Sequence, residues 1–222
     1  LDRTEGVSSS EIREEKQLIK IGLVGDASFL NKVYSESSFV NGMHIAGLLT
    51  SNIERMNEQL RLNRVSSYEE LLQKVDAVYI RSLPGLHYQQ IKEALENGKN
   101  VLCESPITLC QDDTQELFAL AKRKNLVLME AIKTAYATAF DRLLLLIKGG
   151  RIGKIISVDA TCTSLKKNRT DWSGFYEWAP TALLPIFEIL GTNYKKRIYR
   201  HKNGEGNDTI AKIDFQFEHA VA

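Results

Sequence analysis

Apolar positions along the chain fall in short, closely spaced runs separated by stretches with helical periodicity. Residues 18–25, Leu-Ile-Lys-Ile-Gly-Leu-Val-Gly, read as a buried strand that runs into a glycine turn. A second apolar run over residues 44–50 predicts the next strand. Ser67-Tyr68-Glu69-Glu70 has the spacing of a capping box, so a short helix begins there and carries Leu71 and Leu72. Residues 76–80 predict a third strand. Residues 86–97 predict a helix with Ile91, Ala94 and Leu95 on one face and Gly98 at its C-terminal cap. A fourth strand over 100–103, a helix over 114–124 opened by Asp112 and Asp113, and a fifth strand over 126–129 complete the series.

This alternation implies a doubly wound parallel sheet with right-handed crossovers and a ligand crevice at the carboxyl ends of its strands. After residue 135 the pattern changes. A helix over 135–148 ends at Gly149-Gly150, and residues 154–161 read as a strand with no βα partner. Residues 181–190 look helical, with Pro180 and Pro185 complicating the ends, and 198–200 and 210–217 alternate as strands around the turn-prone 203–207. The expected division is therefore a leading segment 1–16, an α/β domain 17–135, and a partial α+β domain 136–222 with an open, mainly antiparallel sheet.

Composition narrows the functions. The 222 residues carry 29 Lys+Arg against 28 Asp+Glu, a net charge of +1, so no basic excess exists to neutralise phosphates and no nucleic-acid partner is expected. Cys103, Cys110 and Cys162 are too scattered for a disulfide framework or a zinc site, and the four histidines show no metal-ligand spacing, so no metal is expected. The longest apolar run, 143–147, is far too short to span a bilayer, and no signal segment opens the chain. The expectation is a cytoplasmic protein without membrane contact.

The turn Gly25-Asp26-Ala27-Ser28-Phe29-Leu30 keeps only the first glycine of the G-x-G-x-x-G pattern that lets a backbone approach a pyrophosphate. It reads either as a dinucleotide turn or as a tight strand-to-helix turn without a ligand. If Phe29 and Leu30 fill the crevice, a redox role is lost. At the end of the second strand, Thr50-Ser51-Asn52 stands where an acidic residue would hold a ribose 2′-hydroxyl, with Arg55 beyond. Hydroxyls and an arginine tilt a working site toward NADP over NAD. The alternative is a plain polar strand end.

More specific blocks follow. Ser82-Leu83-Pro84-Gly85-Leu86-His87-Tyr88, then the stretch from Ala94-Leu95 through Gly98-Lys99 and Val101 to Glu104-Ser105-Pro106, resemble the Gfo/Idh/MocA oxidoreductases. Met129-Glu130-Ala131 and the run from Gly150 to Ile155 extend the resemblance. It implies a Rossmann-type doubly wound parallel sheet followed by a truncated α+β domain, an NAD(P) cofactor, and a polyol or sugar-phosphate substrate. Gly25, Ala27, Ser28, Ser51, Ser82, His87 and Glu104 are then the implied cofactor contacts, and a homo-oligomer through the C-terminal sheet is expected. The family's E-K-P lysine is replaced by Ser105, which has neither charge nor reach. Lys133 either substitutes for it from the end of the fifth strand or is a solvated lysine. In the second domain Glu177 stands at the family's acid position and Thr181 where a histidine is expected. Lys133 and Glu177 are thus the catalytic candidates.

The N-terminal run from Arg3-Thr4 to Glu11-Ile12 resembles the closing motif of the glycerol-3-phosphate cytidylyltransferase family. That implies residues 1–16 are the tail of such a domain, fused ahead of the oxidoreductase in a protein serving cell-surface polymer precursors; an ordinary Ser-capped helix is the alternative. Two functions stay open: an NAD(P)-dependent oxidoreductase, and a catalytically degenerate scaffold, oligomerisation or sensor domain.

Overall fold

In the computed structural model, which describes residues 18–163, 174–204 and 207–222, five short strands form one sheet. They are β1 (Ile19–Val24), β2 (Met43–Leu49), β3 (Ala77–Ile80), β4 (Asn100–Cys103) and β5 (Leu128–Glu130), in the spatial order β2-β1-β3-β4-β5, all parallel. The helices between them are α1 (Phe29–Ser37), α2 (Glu58–Arg61), α3 (Tyr68–Lys74), α4 (Pro84–Glu96) and α5 (Gln111–Arg123). Strand residues alternate between two cores, as a period of two requires. Leu23, Ile45, Leu48 and Tyr79 meet Leu30 of α1 and Leu60 of α2 on one face. Val24, Val78, Ile80 and Val101 meet Leu71, Ile91, Leu95 and Leu117 on the other. This is the doubly wound arrangement that the alternation of strands and helices predicts.

Local chemistry sets the boundaries. Ser67 caps α3, its Oγ accepting from the Glu70 amide at 3.1 Å. The Glu70 carboxylate in turn accepts from the Ser66 amide and hydroxyl, one residue earlier than a standard capping box. The fifth strand starts at Leu128 instead of 126 because residues 125–126 finish α5: Asn125 takes φ 55° and the Leu126 amide returns to the Ala121 carbonyl. Beyond β2 the sheet continues by a single bridge, where Leu48 exchanges hydrogen bonds with Asn63 and Val65 on either side of Arg64.

Gly22 and Gly47 are opposite each other in the β1–β2 register, and both face Leu71 of α3. A Cβ on either would stand 2.9 Å or 2.3 Å from Leu71 carbons, so the leucine sits in a dimple that only glycines leave open. Between β1 and β3 the sheet's winding direction switches, which opens the crevice at their carboxyl ends. There the two connecting loops touch. The Arg81 amide donates to the Val24 carbonyl at 2.7 Å, and Gly25 adopts φ +132° with its α-carbon against the Arg81 carbonyl.

The second part is smaller. A 3-10 turn (Lys133–Tyr136) leads into α6 (Thr138–Lys148), so the first residues of the expected 135–148 helix belong to the tighter turn. Helix α7 (Gly174–Leu190) begins earlier than the expected 181 and carries Pro180 and Pro185 inside it. Its apolar side packs Ile186 against Phe215 and Phe217, offsetting the missing amide hydrogen bonds. Strands β6 (Lys196–Gly204) and β7 (Asn207–Gln216) pair antiparallel, giving the expected second sheet. The expected strand at 154–161 is not formed. Only Ser157 bridges, to Val221, since a strand needs a ladder and the chain around Val221 provides one step of it.

Gly25→Ala tests the loop contact. Its new methyl would meet the Arg81 carbonyl at 2.3 Å in a backbone region costly for alanine. Urea unfolding should show a loss of at least about 1–3 kcal/mol from the backbone alone. Unchanged stability would mean the loops do not touch.

Candidate active site

The end of each strand delivers one group to the crevice. Glu104 follows β4 and is 6% exposed. A carboxylate so buried needs opposite charge and donors. The Tyr79 hydroxyl of β3 donates to Oε1. Arg81, just past β3, brings Nη1 to 3.4 Å of Oε2, and Lys133, on the 3-10 turn after β5, places Nζ 3.0 Å from Oε1 and 3.3 Å from Oε2. Both cations lie over the Phe29 ring, at 5.7 Å for Arg81 and 5.3 Å for Lys133. Burial, then the hydrogen bond to Glu104, pushes the Tyr79 phenol far above its usual range, so it stays a neutral donor. Arg81 Nε is buried without a hydrogen-bond partner.

Behind this cluster, burial raises the Glu130 carboxyl above its ordinary value. His87, 1% exposed in the first turn of α4, sets Nδ1 2.8 Å from the Pro106 carbonyl and Nε2 3.2 Å from the Ser82 carbonyl. Burial lowers its pKa, and a neutral ring donates to only one of these oxygens. His87 therefore ties together the two segments that line the crevice from behind. The Ser82 hydroxyl points to Gln90 Oε1 at 2.5 Å.

At the β1–β2 side, the carboxylate of Asp26 spans the turn to the end of β2. Oδ1 accepts from Thr50 Oγ1 at 2.8 Å, the Ser51 amide at 2.7 Å and the Asn52 amide at 3.2 Å, and Oδ2 from Ser51 Oγ at 2.5 Å. The Ala27 and Ser28 carbonyls accept the first amides of α1, and Ser28 makes no side-chain cap.

Gly25, Ala27, Ser28, Ser51, Ser82, Glu104 and Lys133 all lie at or just beyond the carboxyl ends of the five strands. Lys133 and Glu104 are in contact, while His87 stands behind the lining with each nitrogen facing a backbone carbonyl. Glu177 lies in α7, but its side chain falls outside the described residues, as does the whole N-terminal run that carries the cytidylyltransferase resemblance. Asp26, Phe29, Tyr79, Arg81 and Glu130 were not among the sequence candidates. An aromatic residue in a glycine-poor turn is the one available signal for Phe29; the others depend on pairings far apart in sequence.

Of the two bulky residues in the turn after β1, Leu30 leaves the crevice free, while Phe29 stays at it, half-buried beneath Arg81 and Lys133. Leu30, which replaces the third fingerprint glycine, is fully buried in the core under α1 and takes no space in the crevice. Gly25 keeps the first glycine of the fingerprint, and Arg81 Nε is an unsatisfied donor at the switch point.

Comparison with known proteins agrees. Residues 19–132 match a family model described as an oxidoreductase family with an NAD-binding Rossmann fold. The dTDP-3,4-didehydro-2,6-dideoxy-alpha-D-glucose 3-reductase of Saccharopolyspora spinosa is 32% identical over 143 residues, covering 62% of this chain and 43% of that protein. The scyllo-inositol 2-dehydrogenase (NADP(+)) of Bacillus subtilis is 27% identical over 132 residues, covering 57% and 40%. The chain thus spans less than half the length of these curated relatives. Among solved structures, an oxidoreductase from Agrobacterium radiobacter in complex with NAD+, L-tartaric acid and magnesium superposes with a TM-score of 0.77 at 16% identity, covering 91% of this chain and 65% of that one. An NAD-binding protein from Listeria innocua gives 0.76 at 21% identity, covering 92% and 66%. These likenesses speak for the fold.

His87 gives a pH test. Its folded pKa lies below the ordinary 6.5, so the unfolded chain binds the extra proton. The stability it contributes is complete above the unfolded value and is lost as pH falls through the window down to the folded one. The melting temperature should fall as pH drops below the ordinary histidine value of 6.5, and His87→Gln should flatten that slope by the share of up to about one proton. An unaltered slope in the variant would show that His87 takes up its proton equally in the folded and unfolded chain.

Proposed function

Because the chain belongs to the Gfo/Idh/MocA oxidoreductase family, we propose that it moves hydride between NAD or NADP and a carbon of a polyol or sugar phosphate. The relatives' names, a sugar 3-reductase and an inositol 2-dehydrogenase, support that substrate class. The observation that carries the reading is the Lys133–Glu104 pair at the carboxyl ends of β4 and β5. It returns a cation to the residue adjoining Ser105, where the resemblance implies a lysine.

The nicotinamide, when bound, supplies the two-electron chemistry that no side chain offers. Gly25, Ala27 and Ser28 present the turn and the start of α1 to the pyrophosphate. Ser51 lies on the ribose side, Ser82 and Glu104 flank the crevice, and His87 holds its rear wall. The Lys133 ammonium hydrogen-bonds the substrate oxygen. It gives a proton when a carbonyl becomes an alcohol, and the proton returns to it in the reverse direction. Glu104 keeps Nζ in place, and Glu177 accepts from a substrate hydroxyl.

On this reading the dinucleotide domain is 17–135 and the substrate domain begins at 136. The enzyme works in the cytoplasm as a homo-oligomer through its C-terminal sheet. Residues 1–16 are the tail of a cytidylyltransferase-like domain, which would make the whole protein bifunctional and place it in the supply of cell-surface polymer precursors. Among the described residues no helix is long and apolar enough to cross a membrane. A second reading, a catalytically degenerate scaffold, is favoured by one observation: the Lys133 ammonium is already held by Glu104.

Turnover decides between them. With NADH or NADPH and a panel of ketose and aldose phosphates, consumption of reduced nicotinamide should be measurable. Lys133→Ala should lower it by about 10²–10⁴-fold while leaving cofactor binding largely intact. Full turnover in the variant would remove Lys133 from the chemistry, and silence of the unaltered protein across the panel would favour the scaffold.

A further inference from the structure

The polar end of β2 has the composition of an anion cradle: two backbone amides, from Ser51 and Asn52, and two hydroxyls, from Thr50 and Ser51, converge on one point. As a sequence these groups suggest a place for a 2′-phosphate. In the fold they are already used, because all of them donate to the carboxylate of Asp26, which arrives from the turn after β1. We infer that Asp26 selects the cofactor, filling this cradle so that a dinucleotide with a free ribose 2′-hydroxyl is preferred over one with a 2′-phosphate. The inference rests on the oxidoreductase reading above.

Three features support it. In dinucleotide-binding folds a carboxylate at the end of the second strand accepts from the ribose hydroxyls. Here the second strand has none, yet a carboxylate reaches that end from a different loop. Oδ1 receives three hydrogen bonds and Oδ2 one, which leaves acceptor capacity on Oδ2 for a sugar hydroxyl, and the residue is exposed. Finally, Asp26 carries its charge. Partial burial pushes its pKa up, but the hydrogen bonds from Ser51, Thr50 and the backbone outweigh that and hold it below the ordinary carboxylate value. A 2′-phosphate would have to displace this anion from its donors or lie against it, and both are unfavourable.

The test is binding, read by calorimetry or by quenching of intrinsic fluorescence, of NADH and NADPH to the full chain and to two variants. The unaltered protein should bind NADH about tenfold or more tightly than NADPH, the scale of one charge-assisted contact. Asp26→Asn keeps the shape and removes the charge. Asp26→Ala frees the donors as well. Each should shift the ratio toward NADPH by about tenfold, with Asp26→Ala shifting it further. Circular dichroism of both variants establishes that they are folded, and one folded variant suffices. Equal or tighter binding of NADPH by the unaltered protein, or an unchanged ratio in the folded variants, would overturn the role of Asp26 while leaving the oxidoreductase reading intact. Failure of both dinucleotides to bind the unaltered protein would overturn that reading and this inference with it.

Discussion

A buried negative charge must be compensated where it stands, and Glu104 imposes that requirement on the whole carboxyl end of the sheet. Its three partners come from the ends of two other strands: Tyr79 in β3 with Arg81 just beyond it, and Lys133 after β5. Each is placed by the parallel register that puts Ile80 beside Cys103 and Cys103 beside Glu130. Compensation therefore cannot be local; it exists only once β3, β4 and β5 are aligned. The two cations then find a common platform in Phe29, from the first turn of α1. One carboxylate in this way links the turn after β1 to the far edge of the sheet.

Much of the first part of the fold can be read from the sequence because its signals are short-range. The apolar runs at 18–25 and 44–50, the Ser67 cap and Gly98 all act within a few residues of themselves, and the structure uses each of them there. The less regular second part is harder to read. Pro180 and Pro185 argue locally against a helix, but packing of Ile186 onto Phe215 and Phe217 outweighs them. Residues 154–161 alternate like a strand, yet a strand also needs a neighbour, and the sequence does not reveal that only Ser157 finds one.

The site divides along the same line. Positions at strand ends could be located, since a loop following a strand in a parallel sheet must lie at the crevice. What those positions bind could not. Asp26 and Ser51 are 25 residues apart, and Glu104 and Lys133 are 29 apart. Asp26 read in sequence looks like a charge in the wrong place for a phosphate. In the fold it is anchored to the neighbouring strand, and that changes which partner the turn suits. The replacement of the third glycine by Leu30 similarly looks like an obstruction until the side chain is seen among Leu23, Leu48 and Leu60.

The dimple formed by Gly22 and Gly47 around Leu71 has an evolutionary corollary. Any side chain gained on either strand would collide with the leucine, and a smaller residue in the leucine's place would leave a void over two bare backbones. These three positions can drift only in concert. Lineages descending from this sequence should inherit the trio as a block, even where the surrounding surface has been thoroughly rewritten.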